Sequence, residues 1–278
     1  MKIEIFDVEH GGCALVTADT GARILIDAGH NAMSGWRPST HLRNLGVSNL
    51  ENLIITNYDE DHASDLANVL KIVSINILSS NPTVSGGDLR NLKRKGGIGS
   101  GIASLSDLKI RHDSPIEGPG PDLGSLSVRY FWNRYPTDFD DENNLSLIAI
   151  LKAHGLTICF PGDMEIAGWR NLLKQPEFVR AIGDVNVFVA SHHGRQNGCC
   201  DELFSQTSLR PAIVIISDSG IEHATQETVG WYRGRVTGID LYGERRHVLT
   251  TRRDGRVLIE ATPYYTTINV AKARVRWI

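Results

Sequence analysis

Three clusters of polar residues in this 278-residue chain each follow an apolar, strand-like run. The densest cluster is Asn57-Tyr58-Asp59-Glu60-Asp61-His62, the second is Asp163, and the third is the pair His192 and His193. Carboxylate oxygens and imidazole nitrogens are the usual ligands of divalent metal ions. Because sites are commonly built on loops at the ends of strands, we expect the three clusters to share one rim. The sequence therefore predicts a metal site there.

Each cluster also has a structural interpretation. Residues 57, 59 and 61 would face one way off a strand end, with His62 at the start of a helix. The same acidic residues would equally favour a helix N-terminus by interacting with the helix dipole. Asp163 could be a turn residue, and the two histidines could be a surface pair. From these residues alone, both interpretations stay open.

The elements that must position these residues are short strands and helices. Segments rich in β-branched residues predict strands at 2–8, 13–18, 22–28, 52–57, 75–80, 126–132, 146–153, 156–160, 185–190, 212–217, 247–251 and 256–260. Apolar spacing predicts helices at 38–45, 61–73, 165–182 and 224–232. One run of strands and helices followed by a second predicts an α/β protein with two packed sheets and outer helices.

The predicted domain covers residues 1–261. Residues 82–124 are rich in Gly, Ser and Pro, and we interpret them as a mobile loop insertion that contains one short helix. Residues 262–278 form an apolar, strand-like C-terminal tail. This tail would either cover a sheet edge or pair with a second subunit in a homodimer.

Composition limits the classes of partner. The formal net charge of -3 supplies no overall basic face for duplex binding. Two local basic sets remain, and each is either a solvated surface or a track for a phosphate backbone. They are Arg90, Lys93, Arg94 and Lys95, and Arg233, Arg235, Arg245 and Arg246.

No apolar run approaches the roughly 20 residues that span a bilayer, and the N-terminus alternates like a strand rather than a signal peptide. We therefore expect a cytoplasmic protein without membrane association. The four cysteines form no Cys-x-x-Cys pair, which predicts reduced thiols and no structural zinc site.

The order of motifs resembles the metallo-β-lactamase superfamily, and in particular the ComEC-type metallo-hydrolase domains of DNA-uptake competence. The similarity covers residues 2 to 260, nearly the whole chain. The matching stretches are Phe6 to Gly12, Leu25 to Gly29, Asn57 to His62, Asn143 to Leu147, Pro161 to Asp163, Ser191 to Gly194 and Arg252 to Gly255. This resemblance implies a four-layer αββα sandwich of two mixed β-sheets with outer helices and a metal site at the sheets' upper edges.

The resemblance also implies a ligand set. One ion would be held by Asp61, His62 and a histidine after the late strand, for which His192 is preferred and His193 is the alternative. Asp163 would bridge to a second ion, and Asp61 would orient the nucleophilic water or take its proton. His223 matches a position that contacts a leaving group or phosphate, although it could equally be a helix residue without a role.

The second metal position departs from the superfamily's pattern. Its usual histidines correspond to Asn57 and Asp59, and its third histidine falls near Asn143 or Asn144. Oxygen donors in place of imidazoles should weaken zinc binding and favour manganese or magnesium. The resemblance thus implies one or two divalent ions.

Three functions follow from these observations. The first is a metal-dependent phosphodiesterase or nuclease, with a phosphodiester or single-stranded nucleic acid as substrate. The second is a hydrolase of a small ester, thioester or lactam. The third, motivated by Asn57 and Asn143, is a non-catalytic binding or regulatory protein with a degenerate metal site.

Overall fold

The computed structural model describes residues 1–94, 96–112, 120–219 and 227–271. The strands are β1 (Lys2–Ile5), β2 (Ala14–Thr17), β3 (Arg23–Ile26), β4 (Asn49–Leu50), β5 (Asn52–Ile54), β6 (Ser74–Ile75), β7 (Leu78–Ser79), β8 (Ser127–Phe131), β9 (Ile148–Ala153), β10 (Leu156–Phe160), β11 (Val187–Val189), β12 (Ile213–Ile216), β13 (Ile239–Leu241), β14 (Glu244–Arg246), β15 (Val248–Thr250), β16 (Val257–Ala261) and β17 (Thr266–Val270). The α-helices are α1 (Pro38–Asn44), α2 (Leu66–Val69), α3 (Gly86–Leu92), α4 (Ser100–Arg111), α5 (Ile166–Leu172), α6 (Pro176–Gly183), α7 (Asp201–Ser205), α8 (Val229–Arg233) and α9 (Thr251–Asp254). Short 3-10 turns cover Glu60–His62, Ser191–Gly194 and Gln196–Gly198.

Two mixed sheets form the centre of the molecule. The seven-stranded sheet has the order β17-β16-β1-β2-β3-β5-β7, and the six-stranded sheet has the order β15-β12-β11-β10-β9-β8. In the first sheet, β3 runs parallel to β5. In the second, β10, β11, β12 and β15 are parallel neighbours. The carboxyl ends of these parallel strands therefore meet at one edge of each sheet.

Alternation along the strands creates three apolar layers. In β3, Ile24 and Ile26 face the inter-sheet core, whereas Leu25 faces outward. The outward side chains of the first sheet pack against α1 to α4 through residues such as Leu42 and Leu105. This period-2 pattern buries both faces of each central strand, which requires helices on the outside.

The second sheet has the same arrangement. Phe188 of β11 points away from the inter-sheet core and packs in the outer layer with Trp169, Phe178 and Tyr232 from the helices. Helices, two sheets and helices thus form four layers, and the predicted αββα sandwich is confirmed.

Several elements differ from the sequence predictions. The region 82–124 contains two helices, α3 and α4, rather than one, and both bury leucines in the outer core. The predicted helix at 165–182 is divided into α5 and α6, because Pro176 starts a new helix at a position where its missing N–H is not needed. The predicted helix at 224–232 is described only from Val229, since residues 220–226 lie outside the described ranges.

The predicted helix at 61–73 is shortened to α2 and a preceding 3-10 turn. The backbone explains the difference. Ala28 N donates to the His62 carbonyl at 2.8 Å, and Asp65 N donates to the Ala28 carbonyl at 2.9 Å. These bonds tie residues 62 to 65 to the loop after β3, so they cannot join a regular helix.

The C-terminal tail contributes strand β17, which pairs antiparallel with β16 and forms one edge of the seven-stranded sheet. This is one of the two roles that the sequence left open. Among the residues that the structure describes, no helix has the length and apolarity to cross a membrane.

Candidate metal centre

Four side chains from three loops converge at the edge where the two sheets meet. His62 Nε2 lies 3.1 Å from Asp163 Oδ1 and 3.3 Å from His193 Nε2. His193 Nε2 lies 3.3 Å from Asp163 Oδ1 and 3.4 Å from Asp61 Oδ2. The first loop follows β5, the second follows β10 and the third follows β11. The three polar clusters of the sequence therefore share one rim.

These atoms suit one divalent ion. A tetrahedral ion with ligand bonds of ~2.0–2.1 Å needs ligand atoms roughly 3.4 Å apart, and the four contacts are close to that value. Asp61, His62 and His193 form a group whose ligand atoms all lie within 4.8 Å of one another. Asp61 Oδ1 is buried without a hydrogen-bond partner. The residues present thus fit a bound metal.

A buried carboxylate orients His62. Asp27 Oδ2 lies 2.9 Å from His62 Nδ1, and Asp27 Oδ1 accepts a hydrogen bond of 2.7 Å from Thr56 N. Hydrogen bonding at Nδ1 leaves Nε2 available as the metal-binding atom. The sequence analysis included Asp27 only within the matching stretch Leu25 to Gly29 and gave it no role in the site. It belongs to the centre, because it holds the ring of a candidate ligand.

Glycines make room for this pair. A Cβ on Gly12 would lie 2.5 Å from Asp27 Oδ2 and 2.9 Å from His62 Nδ1, both too close for a real contact. A Cβ on Gly29 would lie 2.3 Å from the Asp61 carbonyl oxygen. The Gly11-Gly12 and Ala28-Gly29 stretches of the sequence are therefore spacers that let the backbone approach the ligands.

Only one of the two adjacent histidines joins the cluster. His192 and His193 have φ values of 49° and 51°, in the left-handed region that non-glycine residues rarely adopt. His193 Nε2 lies 3.3 Å from both His62 Nε2 and Asp163 Oδ1. His192 instead lies with Nδ1 3.5 Å from Glu165 Oε1, too far for a strong hydrogen bond. The sequence preferred His192 as the ligand, whereas the structure brings His193 into the group.

Charges at the centre favour a cation. Burial opposes a charge on His193, but the neighbouring carboxylates of Asp163 and Asp61 outweigh it and raise the pKa of His193 to about 10. Burial would raise the pKa of Asp163, yet the positive charges of His193 and His62 hold it well below its ordinary value. A metal ion bound here would compete with the imidazole protons, so its affinity should increase with pH.

The positions that the resemblance implied for a second ion, here called the altered half, form an amide network. The Asn57 side-chain nitrogen donates to Ser146 Oγ at 3.1 Å and faces Asn143 Oδ1 at 3.3 Å. The Asn57 side-chain oxygen accepts from Asp59 N at 2.7 Å. The Asn143 side-chain nitrogen donates to Glu165 Oε1 at 3.0 Å. Both amides thus bond to protein groups.

Ser146 connects the two halves. Its hydroxyl oxygen accepts from Asn57 and also from Asp163 N at 3.1 Å. Ser146 is fully buried, and sequence reasoning did not select it. It fixes the backbone of a candidate ligand relative to the altered half.

Asp59 lies apart from the four donors. Its Oδ1 accepts a hydrogen bond from Lys93 Nζ, which also donates to Glu142 Oε1 at 3.0 Å. Burial opposes the Lys93 charge, but the hydrogen bonds and charges of Asp59 and Glu142 prevail and raise its pKa. The sequence placed Lys93 in a surface basic set, so this contact was not anticipated.

A further buried carboxylate lies on the loop after β12. Asp218 Oδ2 forms an ion pair with Arg252 Nη1 at 2.7 Å, and Thr251 Oγ1 accepts from Asp218 N at 3.0 Å. Burial outweighs the arginine and raises the Asp218 pKa to about 6. His223, the predicted leaving-group contact, lies outside the described residues.

Most described members of the two basic sets have acidic partners. Arg90 bonds to Asp107, Arg235 to Asp201, Arg245 to Asp240 and Arg246 to Asp254. Arg94 and Arg233 are exposed, and Lys95 lies outside the described residues. Ion pairing within the protein lowers the charge that these sets offer to a phosphate backbone.

No model of a protein family matches the sequence, and no curated protein matches it. Several solved structures are similar in fold. The metallo-β-lactamase-fold protein YhfI from Bacillus subtilis is 9% identical, with 97% of this chain and 100% of that chain covered and a TM-score of 0.49. A protein from Parabacteroides distasonis, provisionally named a metal-dependent hydrolase, is 14% identical over 88% of this chain and 91% of its own, with a TM-score of 0.46. MEM-A1, a subclass B3 metallo-β-lactamase from a soil metagenome, is 15% identical over 68% of this chain and 76% of its own, with a TM-score of 0.41.

Proposed function

We propose that this chain is a metal-dependent hydrolase, and that its substrate is a phosphodiester. The convergence of His62, His193, Asp163 and Asp61 at separations of 3.1 to 3.4 Å carries the proposal. Two imidazoles and two carboxylates are a donor set that both zinc and manganese accept, and magnesium is the weaker fit. These four donors define a single ion site, and the proposed hydrolysis requires no second ion.

A divalent ion held by this group would lower the pKa of a bound water and polarise a phosphoryl or carbonyl oxygen. The chain's own residues would then direct the reaction. Asp61 has one oxygen toward His193 and a second oxygen without a hydrogen-bond partner, so it is suited to accept a proton from the attacking water. Asp163 is only 2% exposed and is fixed by Ser146, so it would hold its ligand atom rigidly.

An anionic substrate is favoured by a cation near the rim. Arg195 Nη1 lies 3.5 Å from His192 Nε2. This side chain would offset the negative charge of a phosphodiester next to the two carboxylates. The resemblance of the motif order to ComEC-type domains supports the same class of substrate, phosphodiesters. Single-stranded nucleic acid would be a polymeric substrate of this class. The pairing of the more distant arginines favours a short contact over a long binding track.

To test this proposal, the protein is stripped of metal and reloaded with manganese, zinc or magnesium. Bound metal is then measured together with the rate of cleavage of bis-p-nitrophenyl phosphate. Asp163→Asn should abolish cleavage and reduce bound metal. Asp184→Asn is the matched control, because Asp184 is an exposed carboxylate that pairs with Lys152 at 3.3 Å. Thermal unfolding of both variants separates a lost site from a lost fold.

Each alternative has its own result. Turnover of p-nitrophenyl acetate without phosphodiester cleavage would assign the site to small esters or thioesters. Full cleavage by Asp163→Asn would refute the assignment of the centre. A folded protein that binds none of the three ions would identify a non-catalytic binding or regulatory protein, as the amides at Asn57 and Asn143 suggest.

A further inference from the structure

Lys93 lies where the second half of the metal site has lost its imidazoles. Its ammonium contacts one oxygen of Asp59 and lies 3.0 Å from Glu142 Oε1. The side chain is only 14% exposed. Asp59 N donates to the Asn57 side-chain oxygen at 2.7 Å, and the Asn57 side-chain nitrogen lies 3.4 Å from the Glu142 carbonyl, so both partners of the lysine are bonded to Asn57.

A packed helix delivers this lysine. Lys93 directly follows α3, whose start is fixed by a capping box between Ser85 and Asp88. Leu89 is fully buried in the outer core, and Arg90 Nε donates to Ser106 on α4 at 2.9 Å. The end of α3 is therefore held on the protein surface at a set distance from the centre.

The surrounding groups match an ammonium better than a metal ion. The Asn57 side-chain oxygen already accepts from Asp59 N, and the Asn57 nitrogen faces Asn143 Oδ1. Two carboxylates remain, and the ammonium carries three donors that hydrogen bond readily to carboxylate oxygens. A divalent ion at the same place would have to displace this charge.

We propose that the Lys93 ammonium is the resident cation of the altered half, and that it restricts the chain to one divalent ion. This inference rests on the proposed metal site at His62, His193, Asp163 and Asp61. Lys93 acts as a positioning residue, because it neutralises Asp59 and Glu142 and keeps a second ion out. Its positive charge also borders the place where an anionic substrate would bind.

The test measures manganese per chain in the full-length protein by elemental analysis after gel filtration in excess manganese. The wild type should bind about one equivalent, and Lys93→Met should bind about two, with the second held more weakly. Lys93→Arg keeps the positive charge and should stay near one. Arg94→Met removes the exposed cation next to Lys93 in the sequence, and should also stay near one.

Electron paramagnetic resonance of the manganese gives an independent readout, since neighbouring ions couple and change the spectrum of a single ion. Coupling that arises only in Lys93→Met supports the proposal. Two equivalents in the wild type, or one in folded Lys93→Met, would overturn it while leaving the metal site itself intact. No manganese in any folded variant would overturn the metal site and this inference together. Lys93→Gln replaces Lys93→Met if the latter unfolds, with the same expected gain.

Discussion

Replacing Asp27 by asparagine should weaken metal binding although Asp27 is not a ligand. In the native site, Asp27 Oδ2 accepts from His62 Nδ1 at 2.9 Å and from Thr56 Oγ1 at 2.5 Å. An asparagine keeps the shape but places an NH2 group either at the Oδ2 position, facing both of these partners, or at the Oδ1 position. If that group faces His62, Nδ1 must become the acceptor and the proton moves to Nε2. Nε2 is the atom that faces Asp163 and His193, so it loses its lone pair for a metal.

The reverse orientation of the asparagine would set its NH2 group against Thr56 N, which is itself a donor 2.7 Å away. The first orientation therefore changes the tautomer of His62, and the second loses the buried hydrogen bond from Thr56 N. Loss of such a supporting carboxylate typically lowers metal affinity by roughly 10- to 100-fold, or about 1.4–2.8 kcal/mol. We therefore expect a weakening in that range for zinc, measured by competition with a chromophoric chelator.

Asp65→Asn is the matched control. Asp65 is equally buried and accepts from Ser39 N at 2.9 Å and from Arg37 at 3.0 Å, away from the four donors. It should lower thermal stability and leave metal affinity near the wild-type value. Wild-type affinity in Asp27→Asn, or equal losses in both variants, would refute the argument that Asp27 sets the tautomer of His62.

Two further predictions concern the same rim. Gly12→Ala should reduce metal binding, because the new Cβ would lie too close to Asp27 and His62. Gly230→Ala should leave metal binding unchanged, since no atom lies within 4 Å of a Cβ built on Gly230. Equal metal content in the two variants would contradict this prediction. Burial raises the pKa of Asp218 from 3.8 to about 6 in the folded protein. The free energy of unfolding should therefore decrease as pH rises through about 6, by at most about 3 kcal/mol. Asp218→Asn removes this component, so its stability relative to the wild type, measured by urea unfolding, should increase from pH 4 to pH 8; a flat difference would refute the assignment.

The sequence by itself determined the layers and the location of the chemistry. The alternation Ile24-Leu25-Ile26 assigns opposite faces of β3 to two different cores, because successive side chains on a strand point in opposite directions. Polar residues directly after buried strands predicted one rim, because parallel strands end at the same edge. The rim could be predicted on this basis, whereas the ligand set Asp61, His62 and Asp163 was implied by the resemblance to the metallo-β-lactamase superfamily.

Only the tertiary structure decided which groups face one another. His62 and His193 are 131 positions apart, and the two adjacent histidines have a left-handed backbone that no periodicity encodes. The sequence placed Lys93 in a local basic set, whereas in the structure the packing of α3 brings its ammonium into contact with Asp59. Hydrogen-bond partners distant in sequence are fixed by the docking of whole elements. The ligand types can therefore be predicted from the sequence, whereas the tautomer of His62 and the cation of the altered half cannot.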